Sequence, residues 1–324
     1  MAGFLNRIAE GLFFETDRRR YWDHRQFGLE GETFETPGPN GSVISGLWLK
    51  ALPQDGKPLQ GTVLYAHCCT RNMGFHLPQV SWLVPSGWNV ILYDPEETGR
   101  STGKLTLNGM VDDAEAVYRY ARDVRSVSAD KLVLFGQGPG GDALLRLLRR
   151  HPDGAAAIIL EAVTATHRGW MIRRYGPGVG HLGARLLPDS VSEDPIDALR
   201  EVKIPVAYLY PGRDDSVPEK EMDDMLKALP ENREIWMGLK EKHLKSDNLR
   251  PKEGEQWRLF PLAPLVCPRR LFSLFRLFSP GSICRRLQVL LRAGPDRERD
   301  EKRRGTAERY HHPAAIIPEH RGER

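Results

Sequence analysis

Apolar residues follow two different spacings that alternate along most of the chain. Short apolar runs bounded by turn residues predict buried strands, at 30–36, 42–51, 61–67, 88–94, 131–136, 155–162, 204–211 and 233–238. Stretches with apolar residues three and four positions apart predict helices, at 74–86, 109–124 and 140–150. Short buried strands separated by helices are typical of an α/β fold with a mostly parallel, doubly wound sheet.

The first residues have a pattern of their own. Within residues 2–14 one stripe of a helix is apolar: Phe4, Leu5, Ile8, Leu12 and Phe13. We therefore predict an amphipathic helical segment over 1–28. Two interpretations stay open, because such a stripe either packs on the body of the protein or lies on a membrane surface.

Residues 163–203 interrupt the alternation of strands and helices. Their length predicts a short lid insertion over the carboxyl edge of the sheet, where open α/β sheets bind ligands. Trp170, Met171, Ile172 and Tyr175 either line a pocket there or pack the lid down. The sequence pattern does not separate these two alternatives.

Charge is distributed unevenly between the body and the end of the chain. Residues 259–324 hold 13 Arg and one Lys against seven acidic residues, a net charge of +7, so the remaining residues carry −3 of the total +4. We predict one large α/β domain over 29–258 and a basic, disordered tail over 259–324. The acidic body argues against nucleic-acid binding. The tail either touches anionic lipid or a partner, or is an appendage without a role, such as a reading-frame artefact.

Cysteine spacing and the N-terminal residues point to no disulfide, metal or membrane-spanning element. The four cysteines, Cys68, Cys69, Cys267 and Cys284, show no C-x-x-C spacing, so we expect neither a disulfide framework nor a zinc site. No cofactor is expected. Arg7 and Glu10 interrupt the first apolar residues, and no apolar run reaches about 18 residues. The expected location is cytoplasmic, with peripheral membrane contact left open.

Five segments follow one another in an informative order. They are GTVLYAHCCTRNMG at 61–74, YDPEETGRSTG at 93–103, KLVLFGQGPGG at 131–141, SEDPIDALREVKIPVAYLYPGRDDSVP at 192–218 and MGLKEKH at 237–243. With these segments the chain resembles the α/β-hydrolase superfamily, in its serine aminopeptidase and esterase-like branch. The resemblance implies an α/β-hydrolase fold over about residues 30–245.

The resemblance also implies a catalytic triad, and one of its members is absent. Asp214 would be the acid, with Asp215 less favoured, and His243 would be the base. The serine of the family's G-x-S-x-G turn falls on Gly138, which has no hydroxyl. Pro139 follows and has no backbone N–H, so one oxyanion donor is also absent.

The residues after strand 61–67 correspond to the family's second oxyanion donor. His67, Cys68 and Cys69 are therefore predicted to border the binding region together with Pro139. We expect His67 to shape this loop rather than to act as a base.

Two other nucleophiles deserve consideration. Ser101 lies in a second G-x-S-x-G match, but no helix follows it, and the motif requires a strand, a turn and a helix. Cys68 or Cys69 would be nucleophilic if a base lowered the thiol pKa.

Three functions follow from these observations. The first is a catalytically inactive hydrolase-fold protein that binds a small apolar or ester-like ligand, or a protein partner. The second is an active hydrolase of ester, acyl or peptide bonds that uses Cys68, Cys69 or a water activated by His243. The third is a membrane-surface or protein-binding adaptor.

Overall fold

The structure, a computed structural model, describes residues 2–52, 59–68, 70–188, 191, 193–211 and 217–238. The chain divides into two units, Met1–Pro268 and Arg269–Arg324, and every described residue belongs to the first. The predicted basic tail, 259–324, lies outside the described residues.

Ten strands are found in the described part of the chain. They are β1 (Glu15–Thr16), β2 (Gly31–Pro37), β3 (Val43–Leu49), β4 (Gly61–Ala66), β5 (Thr70–Arg71), β6 (Trp88–Tyr93), β7 (Leu132–Gln137), β8 (Ala157–Glu161), β9 (Val206–Pro211) and β10 (Arg233–Gly238). Eight of them form one sheet in the order β10-β9-β8-β7-β4-β6-β3-β2. Following this order, each pair of neighbouring strands from β10 to β6 is parallel, and this part of the sheet includes β4. Strand β3 runs antiparallel to both β2 and β6. The predicted mostly parallel sheet is confirmed.

Seven α-helices accompany these strands in the described segments. They are α1 (Ala2–Gly11), α2 (Met73–Val80), α3 (Gly109–Arg119), α4 (Pro139–Arg150), α5 (His167–Leu186), α6 (Pro195–Arg200) and α7 (Glu219–Ala228). Short 3-10 turns lie at His24–Phe27, Pro39–Gly41, Ser81–Leu83 and Ala129–Lys131, and a π turn at Tyr120–Val124 follows α3.

Both faces of the sheet are buried, and alternate residues of a strand contribute to the two faces. Along β7, Leu132 and Leu134 face the core beneath α3, α4, α6 and α7, while Val133 and Phe135 face the core beneath α2. Successive side chains of a strand point to opposite faces, so a continuous apolar run serves two cores at once. In sheets whose two faces are covered in this way, ligands bind at the carboxyl edge of the parallel strands.

The predicted lid consists of two helices, and it packs down rather than lining a pocket. Helix α5 is broken at Gly176, and α6 follows it. The Trp170 ring stacks on Phe13 with the centroids 4.6 Å apart. Met171 is fully buried in a cluster with Ala9 and Phe13.

The apolar stripe at the N-terminus is only partly buried. Its Phe13 is buried, whereas Phe4, Leu5 and Ile8 are 68%, 37% and 50% exposed. In the described residues no helix combines the length and apolar character that crossing a bilayer requires.

Candidate functional site

A tight turn joins β7 to α4 at the carboxyl edge of the sheet. At this turn Gly138 has φ 47° and ψ −124°, a conformation that residues with a Cβ adopt at a strain of about 1–3 kcal/mol. Its N–H donates to the carbonyl of Glu161, 2.9 Å away. Pro139 is the first residue of α4, where a missing N–H leaves no helical hydrogen bond unmade. The turn therefore holds its shape without a side chain at 138 and without an N–H at 139.

Close backbone approach explains a neighbouring glycine of the same turn. A Cβ at Gly140 would overlap the carbonyl oxygens of Ala66 and His67. These oxygens belong to the backbone at the end of β4, so they cannot move aside as a flexible side chain can. Gly140 thus allows α4 to begin directly against β4.

We expect Gly140→Ala to lower the free energy of unfolding by about 1–3 kcal/mol, because overpacking forces backbone shifts. Gly178→Ala is the matched control, since a Cβ at Gly178 meets nothing within 4 Å. That control should raise stability slightly, by up to about 1 kcal/mol, through helix propensity. Urea unfolding of both variants measures the difference, and equal midpoints would contradict the close approach.

The end of β4 brings a thiol to the turn. Ala66 pairs with Gly136 in register, so the residues after each strand become neighbours. The Cβ of Cys68 lies 3.5 Å from the point where a Cβ on Gly138 would stand, and among the described residues no other non-adjacent atom lies within 4 Å of that point. Cys68 is 5% exposed. The Cβ of Cys68 therefore borders the position that a side chain at 138 would take.

A histidine on α2 completes a polar group around this thiol. The Sγ of Cys68 lies 3.9 Å from Nε2 of His76 and 3.2 Å from Oγ1 of Thr70. The same Nε2 lies 2.8 Å from the carbonyl oxygen of Thr70, to which it donates. On the other side of the ring, Nδ1 lies 3.2 Å from Oε1 of Gln79.

The charges of Cys68 and His76 are coupled. Burial alone would raise the pKa of the Cys68 thiol, but His76 and the hydrogen bond from Thr70 bring that pKa below its ordinary value. Burial alone would lower the pKa of His76, but Cys68 and the contacts with Thr70 and Gln79 bring it above its ordinary value. Both shifts favour the thiolate and the imidazolium together.

Local capping holds His76 in this place. Asn72 caps the start of α2 by accepting from the N–H of Gly74 at 3.1 Å, and its own amide donates to the carbonyl of Arg19 at 2.8 Å. The N–H of Met73 donates to Oδ1 of Asp94 at 2.6 Å. Asp94 therefore anchors the helix, and burial raises its pKa to about 6.

His67 is buried behind this group. Its ring stacks on His76 with centroids 4.6 Å apart, and its Nδ1 lies 2.9 Å from the carbonyl oxygen of Cys68. Burial, followed by the charge of His76, lowers the pKa of His67 to about 3. A neutral ring of so low a basicity is a poor proton acceptor, which agrees with the expectation that His67 shapes the loop.

A row of hydrogen bonds extends from His76 across the edge of the sheet. The hydroxyl of Tyr65 contacts Oε1 of both Gln79, at 2.9 Å, and Gln137. The amide of Gln137 donates to Oε2 of Glu161 at 2.6 Å. In the part of the chain that the structure describes, no group of three His, Cys, Asp or Glu side chains is arranged to hold a metal ion.

Comparison with known proteins relates this chain to one superfamily. Residues 57–195 match the family model described as serine aminopeptidase, S33. The esterase Pf2001 of Pyrococcus furiosus has the same fold, with a TM-score of 0.58 and 17% identity over 71% of this chain and 91% of that one. The chain belongs to the α/β-hydrolase superfamily.

Relatives within the superfamily are similar over part of their length. "Uncharacterized protein YfhR" of Escherichia coli K12 is 28% identical over 177 residues, which are 54% of this chain and 61% of that protein. "Protein bem46" of Schizosaccharomyces pombe is 28% identical over 228 residues, or 68% of this chain and 74% of that one. This α/β-hydrolase chain is thus related to the esterase and aminopeptidase-like proteins.

Ser101 has a structural role in this superfamily member. It is fully buried, its hydroxyl donates to the carbonyl of Asp94 at 2.6 Å, and its oxygen accepts from the N–H of Ser45 at 2.9 Å. These bonds close the loop after β6, so the second G-x-S-x-G match is not a strand–turn–helix site.

Three residues of the site predicted from the hydrolase resemblance lie outside the described residues: Cys69, Asp214 and His243. The alternative acid, Asp215, lies outside them as well. Their roles stay predictions. Sequence reasoning missed His76 and Gln79, which α2 brings to Cys68. The available signal was a histidine within the predicted helix 74–86, eight residues after the thiol.

Proposed function

We propose that this protein is an α/β-hydrolase-superfamily member without serine-hydrolase activity. It uses the edge of its sheet to bind a small apolar or ester-like ligand, or a protein partner. The observation that carries the proposal is the turn between β7 and α4, where Gly138 and Pro139 stand in the conformation described above.

Two separate parts of the chemistry are missing at this turn. The nucleophile of the superfamily is a side chain on a strained strand-to-helix turn, and Gly138 at φ 47° has no side chain. Removing such a serine lowers turnover by about 10⁶-fold. The N–H of the next residue donates to the oxyanion in this fold, and Pro139 has none. One lost donor lowers turnover by about 10²–10³-fold.

The rest of the framework supports a binding role. The sheet, the turn and the packed lid are all present. These elements form the edge of the sheet at which this fold binds its ligands. Asp214 and His243, the acid and base that the resemblance implies, would remain as polar groups of that cleft. Without a nucleophile, a polar cleft at this edge retains recognition and loses turnover.

We expect the native full-length chain to show no serine labelling by a fluorophosphonate probe. The probe phosphonylates a serine only when a base activates its hydroxyl. An active serine esterase at equal concentration shows that the probe is competent, and the heat-denatured chain gives the background. Labelling of a serine in the native chain above that background would contradict the proposed function.

A further inference from the structure

We propose that Cys68 and His76 form a thiolate–imidazolium pair that accepts an acyl group from an activated ester or thioester, using the space beside Gly138. This inference rests on the proposed function, since it assigns chemistry to a cleft whose serine is absent. It names a reactive site, and a partner for the thiol, that the superfamily pattern does not supply.

The geometry supports a pair rather than a lone cysteine. Nε2 of His76 lies 3.9 Å from the sulfur and 2.8 Å from the carbonyl oxygen of Thr70. Because the carbonyl can only accept, that nitrogen carries a proton, and the sulfur shares it. Nδ1 faces Oε1 of Gln79 at 3.2 Å, so both ring nitrogens face acceptors. This arrangement favours the doubly protonated ring, and a cation at this distance favours the thiolate.

The titratable groups around the pair are also defined. His67 stacks on His76 from the end of β4 and is neutral, with its pKa lowered to about 3 by burial. Asp94, which anchors the start of α2, has its pKa raised to about 6 by burial and is charged at neutral pH. Tyr65, beneath Gln79, has its pKa raised well above its ordinary value by burial and is neutral. The nearby carboxylate therefore adds to the stabilisation of the imidazolium.

The space needed for a substrate lies on the Gly138 side of the thiol. Among the described residues, and apart from its chain neighbours, a Cβ on Gly138 would have only the Cβ of Cys68 within 4 Å. An acyl group would approach Cys68 from this side, where Gly138 presents no side chain.

The reaction balances with the substrate as the only other reactant. The thiolate attacks the carbonyl carbon of the ester, and a C–S bond forms as the C–O bond to the leaving group breaks. The leaving alkoxide takes a proton from the His76 imidazolium. The products are an S-acyl cysteine and an alcohol, or a thiol when the substrate is a thioester.

The acyl group is expected to stay on the sulfur. Hydrolysis of the thioester passes through a second oxyanion, and Pro139 offers no N–H to stabilise it. The site therefore acts as a slow acyl acceptor and not as an efficient hydrolase. Only substrates with a good leaving group acylate it at a useful rate.

The test uses the full-length chain with Cys69, Cys267 and Cys284 replaced by serine, so that Cys68 is the only thiol. With p-nitrophenyl acetate we expect a burst of one equivalent of p-nitrophenolate per chain and a mass increase of one acetyl group on Cys68. Cys68→Ala should abolish both. A wild-type burst that persists in Cys68→Ala, or the absence of acetyl on Cys68, would overturn the proposal.

A second measurement separates the pair from a merely accessible thiol. The rate of iodoacetamide alkylation is followed against pH in the native single-cysteine chain and in the same chain unfolded in urea. We expect half-maximal rate at a lower pH in the native chain. His76→Gln should move the pH of half-maximal alkylation upward and slow alkylation at neutral pH, because no imidazolium then favours the thiolate. The exposed His181→Gln is the control and should change neither.

The outcomes distinguish the two proposals. If native Cys68 reacts with the pH dependence of the unfolded chain, the pair is wrong, whatever His76→Gln does to folding. That result leaves the absence of serine labelling untouched. Fluorophosphonate labelling of a serine that persists in Cys68→Ala would overturn the proposed function itself.

Discussion

The double variant Gly138→Ser/Pro139→Ala is expected to hydrolyse p-nitrophenyl butyrate about 10²–10³-fold faster than Gly138→Ser alone, the range that one oxyanion donor supplies. The serine restores the hydroxyl, and the alanine restores the backbone N–H after it. Gly138→Ser by itself should restore little, because its oxyanion still lacks that donor. Steady-state hydrolysis of the ester in a Cys68→Ala background measures the serine route alone.

The restored serine should also be strained. A residue with a Cβ at φ 47° is destabilised by about 1–3 kcal/mol, so the Gly138→Ser chains should unfold at lower urea concentration than the parent. Pro139→Ala alone is the matched control and should give no hydrolysis. In the double variant, His243→Ala should remove the gain, because an unactivated serine is a poor nucleophile. Equal rates for the single and double serine variants would show that Pro139 is not the missing donor.

A second large effect is expected on stability, at a buried charge cluster between α4 and the lid. Asp142→Asn should lower the free energy of unfolding by about 3–5 kcal/mol, as when one partner of a buried ion pair is removed. Asp142 is 2% exposed, and its carboxylate lies 2.9 Å from Nη2 of Arg146 and 3.0 Å from Nε2 of His167. Without this carboxylate the buried guanidinium of Arg146 would lose its charge partner, and burial would favour the neutral ring of His167.

The cluster connects three parts of the fold, which is why its loss should unfold the domain. Arg146 also donates to the carbonyl of Leu107 at 2.6 Å and to Oδ1 of Asn108 at 2.8 Å. His167 begins α5, so it links the lid to α4. Urea unfolding is the measurement, and the exposed Asp153→Asn, on the loop after α4, is the control, with a change within about 0.5 kcal/mol. Equal changes for the two variants would contradict the role of the cluster.

The same cluster has a pH signature. Burial alone would lower the pKa of His167, but Asp142 outweighs burial and the pKa rises to about 9. A folded pKa above the unfolded value of about 6.5 stabilises fully below pH 6.5, and this stabilisation is lost as the pH rises through about 9. The wild type should therefore exceed His167→Gln by roughly 3 kcal/mol more at pH 6 than at pH 10. A difference that stays constant across this range would show that folding does not raise the pKa of His167.

The order of elements was readable from the sequence because it depends on local periodicity. The runs at 88–94 and 233–238 match the observed strands within one residue. Ends were harder to predict where tertiary contacts decide them. The helix predicted over 109–124 gives way to a π turn at Tyr120, where the Tyr120 ring stacks on Phe34 with centroids 3.7 Å apart. The pair of β1 with β5 was not predicted, since two-residue strands have no periodic signal.

Which residues meet depends on the assembled fold. The pattern left the lid aromatics open between pocket lining and packing, and contact with Phe13 decided for packing. A thiol at 68 and a histidine at 76 are unremarkable in a list of residues. They meet because Asn72 and Asp94 fix the start of α2, while the register of β4 on β7 sets Cys68 beside Gly138.

The sequence by itself determined the layered α/β architecture, because the spacing of apolar residues is a local property. It also determined that position 138 has no hydroxyl and position 139 no N–H, because these follow from residue identity alone. Only the tertiary structure decided that Cys68 faces His76 and that Asp142 holds two cations, because strand register and helix packing bring distant residues within a few ångströms.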